Sequence, residues 1–167
     1  MLGGIALMAL VVGVALLVLA REAGGWGVPY FSFTSAHGSP CRNDLVGYTC
    51  TSLTLDDVEF FGDVDLPAGT RVVTSRYHAT HDYDLRARLE VPSTAAATAL
   101  KRVRSAYGHC RADARPPAPT TGLTGVCVIL TGDGSDESGE LPSRIVNVAT
   151  GLRPDGVRVV DLAIRSR

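Results

Sequence analysis

The sequence lacks an excess of positive charge. It has 16 basic and 17 acidic side chains in 167 residues, for a formal net charge of -1, and Lys101 is its only lysine. Binding to a nucleic-acid backbone requires a basic face and a positive excess, because contacts to phosphates supply most of the affinity. The composition therefore predicts no nucleic-acid partner.

The sequence also lacks the common motifs of catalysis and cofactor binding. It contains no G-x-S-x-G elbow, no phosphate-binding P-loop, no dinucleotide fingerprint and no H-E-x-x-H helix. A catalytic triad assembled from distant residues leaves no such motif, so the sequence offers no basis for naming one. We therefore predict no catalytic, cofactor-binding or metal-binding residue, and we expect a protein that is not an enzyme.

The sequence has only four cysteines, an even number. Cys41, Cys50, Cys110 and Cys127 all follow the apolar N-terminal stretch, and no two of them have the C-x2-C spacing of a zinc site. An even count favours two disulfides and therefore an oxidising compartment outside the cytoplasm. The three possible pairings remain open, although the pairing of Cys41 with Cys50 and of Cys110 with Cys127 requires no long-range contact.

Charge is absent altogether from residues 1–20, and Arg21 and Glu22 end this apolar stretch. A helix of about 20 residues is ~30 Å long, which matches the hydrocarbon thickness of a bilayer. We therefore expect a transmembrane helix at residues 1–20 that contacts membrane lipid. A juxtamembrane spacer rich in glycine and aromatic residues follows at 21–40, and an extracytoplasmic domain follows at 41–167.

A cleaved secretory signal is the alternative interpretation of the same stretch. Val18 and Ala20 have the small side chains that a signal peptidase recognises. The apolar run is, however, longer than the usual signal core of about 7–15 residues, and no basic residue precedes it. The retained helix is the interpretation that we predict.

Hydrophobic periodicity in the polar part of the chain predicts five strands and one helix. From residue 83 to residue 91, apolar and charged side chains alternate strictly, which is typical of a strand with one buried face. An alanine-rich segment with an apolar stripe then predicts a helix that ends at Gly108. The result is an α+β fold with a small antiparallel sheet and one packed helix, in the order β-β-α-β-β-β. Its strands are expected at 71–77, 83–91, 125–131, 144–150 and 157–165.

Other segments show no regular spacing of hydrophobic residues. Residues 41–50 are expected to form a small loop, and residues 53–64 a short strand or turn. Residues 115–122 are predicted to be a surface loop, because their prolines exclude regular structure. An acidic segment at 132–140 has enough carboxylates for calcium but lacks the ligand order of an EF-hand, so we predict an acidic loop there.

The connection between the first two predicted strands contains His78, His81 and Asp82. Imidazole and carboxylate groups are common metal ligands and general bases. A hairpin connection is polar in any case, so we predict a solvated loop. The alternative is a small extracytoplasmic metal-binding protein or enzyme that uses this loop.

The layout of an apolar N-terminal helix, a glycine-rich spacer and a compact four-cysteine domain resembles that of single-pass membrane proteins of high-GC bacteria. The resemblance implies a location at the cell membrane and no particular functional residue. We therefore predict a membrane-anchored extracytoplasmic domain that is a non-catalytic interaction or accessory module of the cell envelope. Its expected partner is an envelope protein or a wall ligand.

Overall fold

The computed structural model describes residues 2–135 and 139–166. In these residues the chain forms three α-helices and eight β-strands. The helices are α1 (Leu2–Ala23), α2 (Leu55–Gly62) and α3 (Ala96–Tyr107), and a 3₁₀ turn at Ser93–Ala95 leads into α3. The strands are β1 (Ser32–Thr34), β2 (Pro40–Asn43), β3 (Tyr48–Thr51), β4 (Arg71–Ala79), β5 (Tyr83–Val91), β6 (Thr124–Thr131), β7 (Arg144–Leu152) and β8 (Arg158–Ser166).

The strands form one antiparallel sheet with the order β1-β2-β3-β4-β5-β8-β7-β6. β4 pairs with β5, and β7 pairs with β8. β8 lies beside β5, with Leu85 opposite Ile164 and Leu89 opposite Val160. The hairpin of β7 and β8 therefore extends the sheet beyond β5, and β6 forms the edge of the sheet on that side.

This architecture shows that the predicted β-β-α-β-β-β order with one packed helix is wrong. Strands β1, β2 and β3 and helix α2 lie in segments for which the sequence predicts a spacer, a loop or a turn. These strands have only three or four residues, too few for a two-residue alternation to be recognised in the sequence. β3 pairs with β4, so that Cys50 lies opposite Tyr77, and β2 and β1 then add to β3 in turn.

Helix α2 begins at a capping motif within the irregular segment 53–64. The Thr54 side chain accepts a hydrogen bond from the backbone N–H of Asp57 at 3.2 Å. The buried Asp57 Oδ2 in turn accepts hydrogen bonds from the Ser35 hydroxyl and from the backbone N–H of Ser39. Burial acts to raise the pKa of Asp57, but these hydrogen bonds outweigh it and hold the pKa below its ordinary value of 3.8. The network joins the β1–β2 connection to the start of α2.

Helix α1 exposes every large apolar side chain from Leu7 to Leu19. Within residues 2–135 and 139–166, no helix meets the length and apolarity required to cross a bilayer. The prediction of a transmembrane helix at residues 1–20, and with it of a single-pass anchor, is therefore wrong. Residue 1 of that prediction lies outside the described residues. The last turn of α1 is instead tied to the domain, because Ala23 is buried and the Asn43 side chain donates to the Gly24 carbonyl at 2.7 Å.

The hydrophobic core lies between one face of the sheet and helices α2 and α3. Its fully buried side chains come from the central strands and from both helices, including Val58, Leu85, Leu89, Val91, Val103, Val148, Val160 and Ile164. The Tyr107 hydroxyl of α3 donates to the Gly62 carbonyl at the end of α2, at 2.7 Å. Each fully buried aliphatic side chain contributes ~1.5–3 kcal/mol to stability, so this one-sided core is the main source of the fold's stability.

All four cysteines are in disulfides, which join Cys41 to Cys50 and Cys110 to Cys127. The first disulfide links directly opposed residues of β2 and β3. The second links the segment after α3 to β6. Two disulfides in a small domain indicate an oxidising compartment outside the cytoplasm.

Candidate binding groove

The open face of the sheet, opposite the helices, brings together side chains from three strands. In β5 the buried core residues alternate with Arg86 and Arg88. The strand register places Arg86 directly opposite Arg76 of β4, and Arg88 directly opposite Asp161 of β8. Side chains of directly opposed residues on one face are close neighbours. Three guanidinium groups and one carboxylate therefore share a small area of this face.

A proline-rich segment at residues 115–119, here called the proline strap, crosses the open face. The Asn147 side chain of β7 donates to the Arg115 carbonyl of the strap at 3.1 Å. Before the strap, the Arg111 guanidinium donates to both carboxylate oxygens of Asp133, at 3.0 and 3.1 Å. Proline fixes its own φ angle, so the strap has little backbone freedom. The segment predicted as a surface loop is thus held against the sheet.

Two clefts lie on either side of Pro117, and Arg86 and Ala163 line both of them. Their volumes are about 420 Å³ and about 320 Å³. The two clefts share Arg86, Pro117 and Ala163 and are together called the groove. Their lining follows β5 from residue 84 to residue 88, a length of ~14 Å. Small-molecule sites in proteins have volumes of ~300–1,000 Å³, so the groove is large enough for a ligand of several functional groups.

The arginines of the groove retain much of their hydrogen-bonding capacity. The Arg88 Nε lies 3.7 Å from Asp161 Oδ1, and the largely exposed Arg86 makes a bond of 3.1 Å with Asp84 Oδ1 two residues away. Arg76 makes no ion pair with any residue that the structure describes. A guanidinium presents five N–H donors in a planar fork that matches carboxylate and phosphate groups. The groove is therefore equipped to bind an anion.

Asp161 is the one acidic residue buried in the groove. It is only 5% exposed, and within the described part of the chain its Oδ2 atom has no hydrogen-bond partner. Burial raises the pKa of Asp161, and the Arg88 charge lowers it only in part. A buried carboxyl group with a perturbed pKa in a cleft is a common property of functional sites.

Asn147 supplies a second buried acceptor. Its side-chain nitrogen holds the proline strap, whereas its Oδ1 atom is buried without a hydrogen-bond partner among the residues described. Asn147 lines the larger cleft and lies opposite Ala163 of β8. Each of the two clefts is therefore lined by one residue whose buried acceptor atom has no partner among the residues described.

The structure does not bring His78, His81 and Asp82, which the sequence places in one loop, together in a cluster. His78 is part of β4, opposite Asp84, and its Nε2 lies 3.9 Å from Asp44 Oδ2. His81 is exposed in the turn, where the Asp82 carbonyl accepts from the Thr80 backbone N–H at 2.7 Å. Over the described ranges, no three His, Cys, Asp or Glu side chains are placed to hold a metal ion.

The predicted acidic loop is described only at its ends. Asp136, Glu137 and Ser138 lie outside the described residues. At the near end, Asp133 is engaged by Arg111 and lines the larger cleft of the groove.

The sequence contained a signal for only part of the groove. Alternation in β5 places Arg86 and Arg88 on the face away from the core, as predicted for residues 83–91. The signal for Asp161 was its position in a continuous apolar strand, where an unpaired acidic residue is unfavourable. Nothing in the local pattern indicated Asn147 or Arg76, because their roles depend on pairing with distant strands.

The fold and the groove define a disulfide-bonded domain with an arginine-lined groove on the open face of an antiparallel sheet. Comparisons with protein-family models, with curated proteins and with solved structures found no significant match. The function is therefore inferred from the chemistry of the groove.

Proposed function

We propose that this protein is a non-catalytic ligand-binding module of the cell envelope, and that its groove binds an anionic ligand. The observation that carries the proposal is the cluster of Arg76, Arg86 and Arg88 on two neighbouring strands. Charge-assisted bonds from guanidinium groups to carboxylate or phosphate are short and strong. The disulfides support an envelope location, because they form and persist in oxidising compartments.

The local charge balance favours an anion over a cation. The smaller cleft is lined by three arginines and by Asp161, whose raised pKa shows that its own ionisation is disfavoured there. The protein as a whole carries a net charge of -1, so attraction is confined to this site. Such a local cluster fits a compact anionic group and not an extended polyanion such as nucleic acid.

Calorimetric titration of the full chain with tricarballylate, a compact tricarboxylate, tests the proposal. Arg76→Gln and Arg88→Gln each remove a cation while keeping a polar side chain. We expect each to weaken binding by roughly tenfold to a hundredfold, since a hydrogen bond between charged groups contributes ~1.5–3 kcal/mol. Added salt should weaken wild-type binding as well.

Arg104→Gln is the matched control, because Arg104 is an exposed arginine of α3 on the opposite side of the sheet. It should bind tricarballylate as the wild type does. Binding that is absent in the wild type, or that falls equally in the Arg104, Arg76 and Arg88 variants, would contradict an anion site in the groove.

We further propose that the apolar helix is an export signal that is removed after Ala20. Between Leu7 and Glu22 no described side chain is buried, and burial begins at Ala23. Residues 7–20 therefore contribute no buried side chain to the core, and Val18 and Ala20 provide the small side chains that the peptidase requires.

Mass spectrometry of the mature protein tests this cleavage. The expected N-terminal residue is Arg21, and Ala20→Phe should leave the segment attached, because a bulky side chain does not fit the peptidase. Recovery of the wild-type protein with residues 1–20 intact would refute the proposal.

A further inference from the structure

Strand β4 has an unpaired edge over its first half. β5 pairs with β4 from Arg71 to Ala79, whereas β3 pairs with β4 only from Arg76 to Ala79. Residues 71–75 therefore have no strand on their second side within the described part of the chain. An unpaired edge presents backbone N–H and C=O groups to which another strand can add.

This edge is open because the chain turns away from β4 at the end of β3. Thr51 is the last paired residue of β3, and Ser52 follows with a φ angle of 56°, in the left-handed region that few non-glycine residues adopt. A cleft of about 450 Å³, here called the edge cleft, lies between residues 51–53 and residues 72–75. The turn at Ser52 thus leaves room beside β4 for another segment of chain.

The shape of the edge favours a short flexible peptide over a second folded sheet. The register of β4 and β5 shifts between Val72 and Thr74, so β4 has a bulge at this point. Bulges and short edges hinder the pairing of two folded sheets, whereas a flexible peptide follows the bend. The unpaired residues 71–75 span ~17 Å, the length of about five residues of an extended peptide.

The charges near the edge cleft select an acidic peptide. No acidic side chain is among the described residues that line this cleft. Thr74 and Ser75 line both the edge cleft and the smaller cleft of the groove, and Thr74 lies directly opposite Arg88. An added strand lies ~10 Å from β5, because neighbouring strands are ~4.8 Å apart, and an arginine and a glutamate side chain together bridge this distance. Arg76 lies at the end of the unpaired run, directly after Ser75.

We propose that an acidic peptide binds as an added strand along residues 71–75 of β4, and that its acidic side chains contact Arg76 and Arg88. This inference rests on the proposed function, since the anion bound by the groove is then a side-chain carboxylate of the peptide. Backbone hydrogen bonds to β4 supply affinity for an extended chain. The guanidinium groups supply the preference for acidic side chains.

Calorimetric titration of the full chain with four probes tests the inference. The first probe is a seven-residue peptide of alternating threonine and glutamate with blocked ends, here called the glutamate peptide. The second has glutamine in place of each glutamate, the third is the glutamate peptide with a methyl group on every backbone nitrogen, and the fourth is tricarballylate. N-methylation removes the backbone donors that strand addition requires. We expect the glutamate peptide to bind about tenfold or more tighter than each of the others.

Amide hydrogen exchange, followed by NMR, locates the bound peptide on the full chain. The glutamate peptide should slow exchange about tenfold or more at the N–H groups of residues 71–75 that point away from β5, because they become hydrogen-bonded. Tricarballylate makes no such bonds and should leave their exchange unchanged. Protection of residues 71–75 that rises with protein concentration in the absence of peptide would identify a second copy as the occupant and refute the peptide.

Val73→Glu places a negative charge in the edge cleft without removing an arginine. It should weaken binding of the glutamate peptide by roughly tenfold, because like charges at an interface repel each other, and leave the glutamine peptide unaffected. Val126→Glu is the matched control, because Val126 lies in edge strand β6 and is 42% exposed, compared with 38% for Val73. It should bind the glutamate peptide as the wild type does. Circular dichroism verifies that each variant is folded.

The outcomes separate strand addition from the anion site. If tricarballylate or the N-methylated peptide binds at least as tightly as the glutamate peptide, or if Val73→Glu and Val126→Glu behave alike, strand addition is refuted and the anion site stands. If the glutamine peptide binds as tightly as the glutamate peptide, the ligand is not acidic and the inference fails. If neither the glutamate peptide nor tricarballylate binds the wild type, the proposed function fails with it.

Discussion

Asp57→Ala removes the carboxylate that joins the β1–β2 connection to helix α2. Asp57 is 1% exposed, and its Oδ2 atom accepts hydrogen bonds from the Ser35 hydroxyl and the Ser39 backbone N–H. Ser39 is itself fully buried, but its N–H also donates to Ser35 Oγ at 2.8 Å and keeps that acceptor after the substitution. The variant therefore loses both bonds to the carboxylate, and the Ser35 hydroxyl loses the acceptor that Asp57 provides.

The expected loss is about 3 kcal/mol in the free energy of unfolding. A hydrogen bond to a charged group contributes ~1.5–3 kcal/mol, and two such bonds set the upper limit. The cost of burying the carboxylate offsets part of this, because in the described structure Asp57 Oδ1 has no partner. Asp56→Ala is the matched control: Asp56 is exposed in the same first turn and loses only the interaction with the helix dipole, ~0.3–1 kcal/mol.

The effect should depend on pH with a defined sign. The pKa of Asp57 is lowered in the folded state, so the stabilisation is fully present above the unfolded-state value near 3.8 and is lost as the pH falls through the folded-state pKa. Urea denaturation of the full chain, followed by circular dichroism, measures the difference at about pH 7 and about pH 2.5. The stabilising role of Asp57 is refuted if Asp57→Ala costs no more than Asp56→Ala at neutral pH. It is also refuted if the difference in unfolding free energy between the two variants does not become smaller in acid.

Three further predictions concern the groove, the second disulfide and one turn. Asp161→Asn should raise the free energy of unfolding at neutral pH, because a group whose pKa is raised by burial is destabilising when it is ionised; urea denaturation measures the increase. Replacing Cys110 and Cys127 together by alanine should cost about 3 kcal/mol, the chain entropy released by opening a ring of this size. Gly47→Ala should cost about 1–3 kcal/mol or more, since its Cβ atom would lie 1.9 Å from the Ala79 carbonyl oxygen, and the midpoint of thermal unfolding should fall accordingly.

Each of these has an outcome that contradicts it. Equal or lower stability of Asp161→Asn at neutral pH would show that the carboxylate is satisfied in the fold. A double cysteine variant as stable as the wild type would show that the ring does not restrict the unfolded chain. Gly134→Ala is the control for the turn, because its Cβ atom meets no heavy atom within 4 Å, and an equal effect of both glycine substitutions would exclude the clash as the cause.

Local patterns predicted β5 and α3 because each of them buries one continuous face. The strict alternation at residues 83–91 matches β5 residue for residue, and the alanine-rich stripe ends where predicted, at Gly108. The same reasoning failed at residues 1–20, where apolarity was taken as a membrane span. It also missed α2, whose eight residues bury too few side chains to show a clear stripe.

The sequence by itself determined which residues of β5 face the core, because side-chain direction in a strand follows from a two-residue period. Only the tertiary structure decided that β8 lies beside β5, and that short strands β1–β3 add to β4. The groove depends on that choice: Arg88 and Asp161 are distant in sequence and meet only through the register of β5 and β8. The physical reason is that the backbone groups at the edge of a strand can form hydrogen bonds with any of several strands that are distant in sequence. The local sequence pattern does not specify which of those strands becomes the neighbour.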